Sequence, residues 1–569
     1  MKKYGIFLVL LAIAALFTQT RFSIERPPVR PNIVWIMAED INLHLGCFGE
    51  KLVHTPNIDR LAANGIRCTN AYTVSGVCAP SRASIITGMY STAIGTQHMR
   101  QAKSLTPYEG VPFYNAVPPA HIKAFPEYLR QNGYFCTNNR KTDYQFGEPF
   151  TVWDSHSNKA GWRDRSEKNQ PFFSCYTFES THEINVWPDS TKWRFFKEFG
   201  VDTMRLVNDV KHRPKIEEKY IVNPSDLVLP PYYPDAPMVR ADIARHYTNI
   251  SRMDTQVGAI LKQLDEDGLS DNTIIVFMGD NGDGLPRAKR WLYDSGIHVP
   301  LIVYIPEKLK PRIKGYTKGI DNQMISFIDL APTMLSLSGI PIPKHLHGRP
   351  FLTTSTNTLP KRRTYIHAGR DRMDNRYDLQ RAVRDSRYKY IRNYMPDVPY
   401  TQQLDFMYQM PMMQEILTYE KAGKLTPIQS YWLFKKKPKE ELYDTQTDPH
   451  EIKNLADSPQ YKLVLNRMRE ELARWQGSVG DYLEMPEVVQ AEKMWPQGKQ
   501  PKTPAPKAVL NTQKKWVLNS NIDGVSIGYR WEGESFWRLY VKPFAAAGKP
   551  LEVKAVRYGW AESEVVKIH

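Results

Sequence analysis

The chain has 569 residues, 41% of them hydrophobic and 24% charged, which excludes a disordered polypeptide and leaves room for two or three globular domains. Its formal net charge of +16 favours an anionic partner, whether nucleic acid, anionic lipid or an acidic polysaccharide. No basic run interleaved with aromatics marks a nucleic-acid patch, and KKKPKEE at 435–441 reads as a solvated loop, so no nucleic-acid partner is expected.

In chain order, Lys2 and Lys3 precede the apolar run IFLVLLAIAALF (6–17), the pattern of a secretion signal, expected over residues 1–26. The run is short for a membrane span, and no cysteine follows it before Cys47 to carry a bacterial lipid anchor. A periplasmic or secreted protein is expected, without stable membrane insertion after signal cleavage. An uncleaved anchor is the alternative, because no clear small-x-small cleavage site follows the run. Cys47, Cys68, Cys78, Cys136 and Cys175 are odd in number and lack CxxC spacing, which argues against a disulfide scaffold and a cysteine-built zinc site.

PNIVWIMAEDI (31–41) predicts a buried strand ending in two acids, followed by a helix stopping at Gly65 and a short strand. A small-residue helix starts near Ser81. AFPEYLRQNGYFCTNN (124–139) reads as a helix closed by Gly133 and then a strand, and PFFSCYTFES (171–180) as another buried strand. Residues 238–265 carry helical periodicity, DNTIIVFMGDNG (271–282) repeats the strand-then-acid pattern, and VPLIVYIPE (299–307) closes the series. Strands alternating with helices predict a mainly parallel sheet covered on both faces, with functional groups at the carboxyl ends of its strands. After about residue 355 the alternation fades into antiparallel strands plus one helix (459–475). MWPQGKQPKTPAPK (494–507) reads as a stiff, exposed linker, and period-two strands follow it. The expected organisation is therefore 27–355, 356–493, a linker at 494–509 and a small β-sandwich at 510–569.

Glu39 and Asp40 at one strand end, with Asp280 and Asn281 at another, offer four oxygen ligands, a set that selects Ca²⁺ or Mg²⁺ over zinc. One acidic pair after a strand is ordinarily a cap or a turn; two at equivalent strand ends shift that balance. In CAPSRASIITG (78–88), Cys78 stands at the positive end of a helix with Arg82 one turn in, a place suited to a nucleophile or an anion. Residue type alone would favour a buried structural thiol.

C-x-P-S-R followed by a small-residue helix and T-G resembles the signature of the formylglycine-dependent type I sulfatases, of the alkaline-phosphatase-like superfamily. Five further elements resemble that family in order: PNIVWIMAED, GYFCTNNRKTD, PFFSCYTFESTHE, MGDNG with KRWLYDSGIHVPLIVY, and ELYDTQTDPHEIKNLA. The acid-rich first strand with HLGCFG is similar to the branch that includes heparan N-sulfatases. The resemblance implies an α/β fold, a large mainly parallel sheet between helices, with a smaller C-terminal α+β subdomain and the appended β-sandwich.

It also implies hydrolysis of sulfate esters on a sulfated polysaccharide or its oligosaccharides, with a formylglycine-generating enzyme as partner. Cys78, as hydrated formylglycine, would attack sulfur while Arg82 steadies the hydrate. Glu39, Asp40, Asp280 and Asn281, with the modified Cys78, would hold Ca²⁺ against a sulfate oxygen. Lys141 and Lys289 would contact the sulfate, and His182 would protonate the leaving oxygen. A cation, two lysines and a proton donor suit charge developing on sulfate oxygens and on the departing alkoxide.

Two positions depart from the family pattern. Glu39 replaces the usual aspartate. Asp143 stands where the family has the histidine of G-K-x-H, either as a base for sulfate release or as a group orienting Lys141. His44, His98 and Arg100 are candidates for substrate contact. Arg370, Arg372 and Asp374, in HAGRDRMDNRYD (367–378), form either a sugar-binding wall or a salt-bridged surface. The alternatives to sulfate-ester hydrolysis are N-sulfate cleavage on heparan-type glycans, phosphoester or phosphonate hydrolysis within the same superfamily, and a non-catalytic glycan binder.

Overall fold

The computed structural model describes residues 30–99, 108, 110–200, 203–354, 357–434 and 436–569. The expected signal at 1–26 and the candidate Arg100 lie outside the described residues. Among those described, no helix is long and apolar enough to cross a membrane, and all five cysteines are free.

Eight strands build the main sheet: β1 (Asn32–Ala38), β2 (Ile66–Cys68), β3 (Phe135–Asn139), β4 (Ser155–Ser157), β5 (Phe172–Phe178), β6 (Thr273–Gly279), β7 (Leu301–Tyr304) and β8 (Gly319–Asp321). Their spatial order is β8-β2-β7-β6-β1-β5-β3-β4. Every pairing is parallel except those of β7, which runs antiparallel to both of its neighbours. β1 lies near the centre, buried along its whole length because helices cover both faces. Ile33, Trp35 and Met37 point into one core, while Val34, Ile36 and Ala38 point into the other. The long helix Pro237–Glu266 feeds Val239, Ile243, Ile250, Val257 and Leu264 into the second of these cores.

The helix Cys78–Thr87 has no exposed face: all ten of its residues are buried. Gly88 ends it at φ 69°, its N–H closing onto the Ser84 carbonyl at 2.9 Å. Four antiparallel strands, β9 (Ile366–Arg370), β10 (Gln380–Arg384), β11 (Tyr388–Asn393) and β12 (Glu440–Asp444), form a second sheet in that order. Helix Lys462–Val479 covers it with Leu465, Met468, Leu472 and Trp475. The second sheet abuts the first unit near Cys78, where Gly369 N–H donates to the Val74 carbonyl at 2.9 Å.

Two small antiparallel sheets, of three and four strands, end the chain. Most of the stretch 494–509 is exposed, as its Pro/Lys composition suggests, but it is anchored at a few points. Met494 ends the helix Glu487–Met494, Trp495 and Thr503 are buried, and Lys507–Leu510 is already a strand. Proline's missing donors are harmless here because the intervening residues anchor the segment. The Thr503 hydroxyl donates to the Ala561 carbonyl at 2.8 Å and accepts from Arg557 N–H at 3.0 Å. KKKPKEE is likewise only partly solvated, since Lys437 and Glu441 are buried against the second sheet.

Candidate active site

The carboxyl ends of β1, β3, β5 and β6 converge on the start of the Cys78 helix. Glu39 and Asp40 follow β1, and Asp280 and Asn281 follow β6; all four are fully buried. Asp40 sits at φ 51°, a left-handed backbone that aspartate tolerates better than most residues. Three donors hold its carboxylate there: Glu183 N–H at 2.7 Å, Lys289 Nζ at 2.7 Å and Asn281 Nδ2 at 2.9 Å. Arg82 spans the other two acids, donating through Nε to Asp280 Oδ2 at 2.9 Å and through Nη2 to Glu39 Oε1. Lys141 Nζ reaches Glu39 Oε2 at 2.5 Å and lies 3.5 Å from Asp143 Oδ2.

Cys78, Glu39 and His182 each bring one polar atom within 4.8 Å of the other two, and Glu39, Asp40 and Asp280 do the same. The Asn281 Oδ1 beside this cluster is buried without a hydrogen-bond partner. An oxygen-only set that includes a buried carbonyl oxygen in need of a partner fits a hard divalent cation.

Burial pushes the Cys78 thiol up, against the pull of Lys141 and Lys289. Burial, then Lys289 and Lys141, hold His182 well below the usual histidine range. Asp280 is pushed up to about 7 by burial and by Glu39, with Arg82 opposing. The cluster is thus a dense, mutually coupled set of charges, the arrangement expected of a reactive site.

The candidates from 367–378 do not form a salt-bridged surface, because Arg370, Asp371 and Arg372 are buried. Arg372 is committed to Glu487 through two bonds of 2.6 and 2.8 Å, and its backbone N–H donates to His98 Nδ1 at 3.3 Å. His98 and Arg372 therefore come together, behind a shared carboxylate. Asp374 meets Arg290 at 3.1 Å, and Arg290 grips Glu183 through two bonds of 2.7 Å. His44 is not in the cluster. It lies 2.9 Å from Asp283, which with Glu50 raises its imidazole to about 10 although burial alone would lower it.

Sequence reasoning missed Glu183 and Arg290. Their signal was adjacency, since Glu183 follows His182 directly and Arg290 follows Lys289. Of the non-glycine residues at positive φ, Asp40, Arg140, Asp143, Arg287, Arg290 and Asp374 all lie in the loops around this cluster. Such strain concentrates where side chains must be aimed.

A mainly parallel sheet thus carries buried acids at two central strand ends, facing a helix that opens with a cysteine and holds an arginine one turn in. The chain matches the family described as Sulfatase over residues 31–166 and 160–340, and N-sulphoglucosamine sulphohydrolase, C-terminal, over 287–426. It is 41% identical over 558 residues to an ulvan-active sulfatase of Formosa agariphila, covering 95% of this chain and 91% of that protein. It is 27% identical to the human N-sulphoglucosamine sulphohydrolase, over 82% of this chain and 94% of that protein. Among solved structures, a 2-O GAG sulfatase superposes with a TM-score of 0.52 at 19% identity, over 80% of this chain and 93% of the other. The chain belongs to the sulfatase family and is an enzyme of the sulfatase class.

Proposed function

We propose that the chain hydrolyses sulfate esters on a sulfated polysaccharide of the ulvan class, or on its oligosaccharides, as an exported enzyme. Cys78 acts in its formylglycine form, made by a formylglycine-generating enzyme, and Glu39, Asp40, Asp280 and Asn281 hold Ca²⁺. The observation that carries this reading is the meeting of Cys78, Glu39 and His182 within 4.8 Å, beside the oxygen cluster. The relationship to the ulvan-active sulfatase, spanning nearly the whole chain, supports the substrate class.

When bound, Ca²⁺ supplies positive charge to a sulfate oxygen, and the hydrated aldehyde supplies a hydroxyl nucleophile that a thiol does not. The remaining work falls to this chain's residues. Lys141 and Lys289 neutralise sulfate oxygens in a largely buried site, where each charge counts for more than in solvent. Arg82 fixes the positions of Glu39 and Asp280. Asp143, 3.5 Å from Lys141, orients that lysine. His182 delivers a proton to the departing alkoxide. Burial first, and then the two lysines, hold it neutral in the free site, and the sulfate's negative charge opposes the lysines when substrate is bound. The test is sulfate release from ulvan oligosaccharides by protein co-expressed with a formylglycine-generating enzyme. Release is expected, and none from any sulfated glycan would sink the reading.

The match to the C-terminal model of N-sulphoglucosamine sulphohydrolase favours one second reading, cleavage of an N-sulfate. N-sulfated glucosamine oligosaccharides in the same assay separate the two.

A further inference from the structure

Arg370 ends β9 with 1% of its surface exposed, and its Nε and Nη1 have no hydrogen-bond partner. The nearest carboxylate, Asp378, lies 3.6 Å from Nε, beyond hydrogen-bond reach. Asp378 is already committed. Lys437 Nζ stands 3.1 Å from each of its oxygens, and Leu379 N–H donates to Oδ1 at 2.9 Å. Two buried cations thus share one carboxylate. Glu441, the next acid toward Lys437, is taken up by Tyr293, Tyr443 and Asn393. Arg290, the other charge close to Arg370, is a cation whose acids Glu183 and Asp374 it already engages.

The neighbouring buried arginines show how unusual this is. Arg372 has Glu487, Arg381 has Asp371 and Asp481, and Arg384 has Asp294. A buried guanidinium with unmet donors is costly, and an anion is the partner that would satisfy both its donors and its charge. Location says where that partner comes from. Gly369 N–H binds the Val74 carbonyl at 2.9 Å, and Arg290 N–H binds the Gly76 carbonyl at 2.6 Å. Arg370 therefore borders the segment that runs directly into Cys78, with the Trp291 ring 5.2 Å from its guanidinium carbon.

We propose that Arg370 forms an oxyanion subsite beside the sulfate-cleaving centre and takes a second anionic substituent of the substrate, a uronate carboxylate or a neighbouring sulfate. The proposal rests on the reading of the chain as a polysaccharide sulfatase, and its test separates the two. Wild type, Arg370→Gln and Arg370→Lys are assayed on three matched sulfated oligosaccharides: one carrying both a uronate and a second sulfate, its carboxyl-reduced form, and a form without the second sulfate. Arg370→Gln is expected to raise KM about 10–100-fold on the parent, the loss of a charge-assisted hydrogen bond, with kcat little changed. The form lacking the recognised anion should show the same KM in wild type and variant, and whichever form that is identifies the anion. Arg370→Lys should recover part of the affinity. Equal losses on all three, or none, would overturn the proposal.

Thermal protection by glucuronate and by inorganic sulfate gives a readout without turnover. Protection by at least one is expected to fall in Arg370→Gln. If no glycan is desulfated but this protection depends on Arg370, the functional reading fails and the subsite stands. Protection by neither probe, or equal protection of both proteins, overturns the subsite.

Discussion

At Cys78 burial raises the thiol although Lys141 and Lys289 stand close by, so the unmodified side chain stays protonated near neutral pH and attacks poorly. Mass spectrometry of the peptide containing residue 78, from active protein, is expected to show the aldehyde or its hydrate. A fully active preparation carrying only cysteine would refute the modification. His182 makes a second, separable prediction. General acid catalysis contributes roughly 10²–10⁴-fold, most for a sugar alkoxide and least for a leaving group that departs unaided. His182→Ala should therefore nearly silence turnover of the glycan while sparing much of the turnover of an activated aryl sulfate. Equal losses on the two substrates in a folded variant would mean that the histidine only supports the end of β5.

Among the elements, the strand ends decide the chemistry, because β1 and β6 deliver their acids side by side in a parallel register. Asp40 N–H even donates to Asp280 Oδ1 at 3.1 Å, so the two ends are tied before any cation is considered. Asp280, pushed up to about 7 by burial and by Glu39, makes metal-free protein pH-sensitive in a definite direction. Its carboxyl binds a proton in the folded state that the unfolded chain releases near pH 4. That contribution is fully present below the unfolded value and lost as pH rises through about 7. A divalent cation replaces the proton, so Ca²⁺ should raise the melting temperature of chelated protein more at about pH 8 than at about pH 5.5. Asp280→Ala should remove both the Ca²⁺ response and activity. A shift as large at the lower pH would count against the assignment. These strand ends were legible in the sequence because each is a local pattern, an apolar run closed by acids. The second ring of partners was not. Arg290–Glu183 and Arg372–Glu487 join residues about a hundred positions apart, and a lone arginine does not announce which acid it will meet. Residues 367–378 admitted either a sugar-binding wall or a salt-bridged surface for the same reason, since charges that are buried by pairing resemble solvated ones in composition.

On the scale of the whole molecule, the C-terminal sheets have a small core of their own, Leu518, Ile527, Leu551, Val553 and Ala555, and are docked closely on the larger unit. Glu127, in the helix Phe125–Gln131, is buried and accepts from Tyr558 Oη at 2.7 Å, from Thr151 Oγ1 at 2.8 Å and from Ser526 Oγ. Tyr558 itself packs in the core under the main sheet. Lys123 donates to the Gly524 carbonyl at 2.8 Å and to Ser526 Oγ at 2.6 Å, and Arg130 donates to the Trp537 carbonyl at 2.6 Å. Gly524 and Gly559, at φ 71° and 83°, let the backbone come so close that an added Cβ would lie 2.4 Å from the Ala120 carbonyl oxygen and 2.2 Å from that of Ala116. Deleting residues 510–569 would therefore strip Glu127 of two of its three partners and remove a buried aromatic ring. The lost hydrogen bonds to the carboxylate are worth roughly 1–3 kcal/mol each and the buried ring roughly 3–5 kcal/mol, against a total stability of about 5–15 kcal/mol. The truncated chain is expected to be insoluble or to melt far below the full chain, whatever the fate of the Cys78 cluster. Glu127→Gln in the full chain should cost much less, because the amide still accepts from at least one of the hydroxyls. A truncated protein that stays soluble, melts with the full chain and keeps its aryl-sulfate turnover would show that the C-terminal sheets are dispensable to the fold, leaving glycan contact as their role.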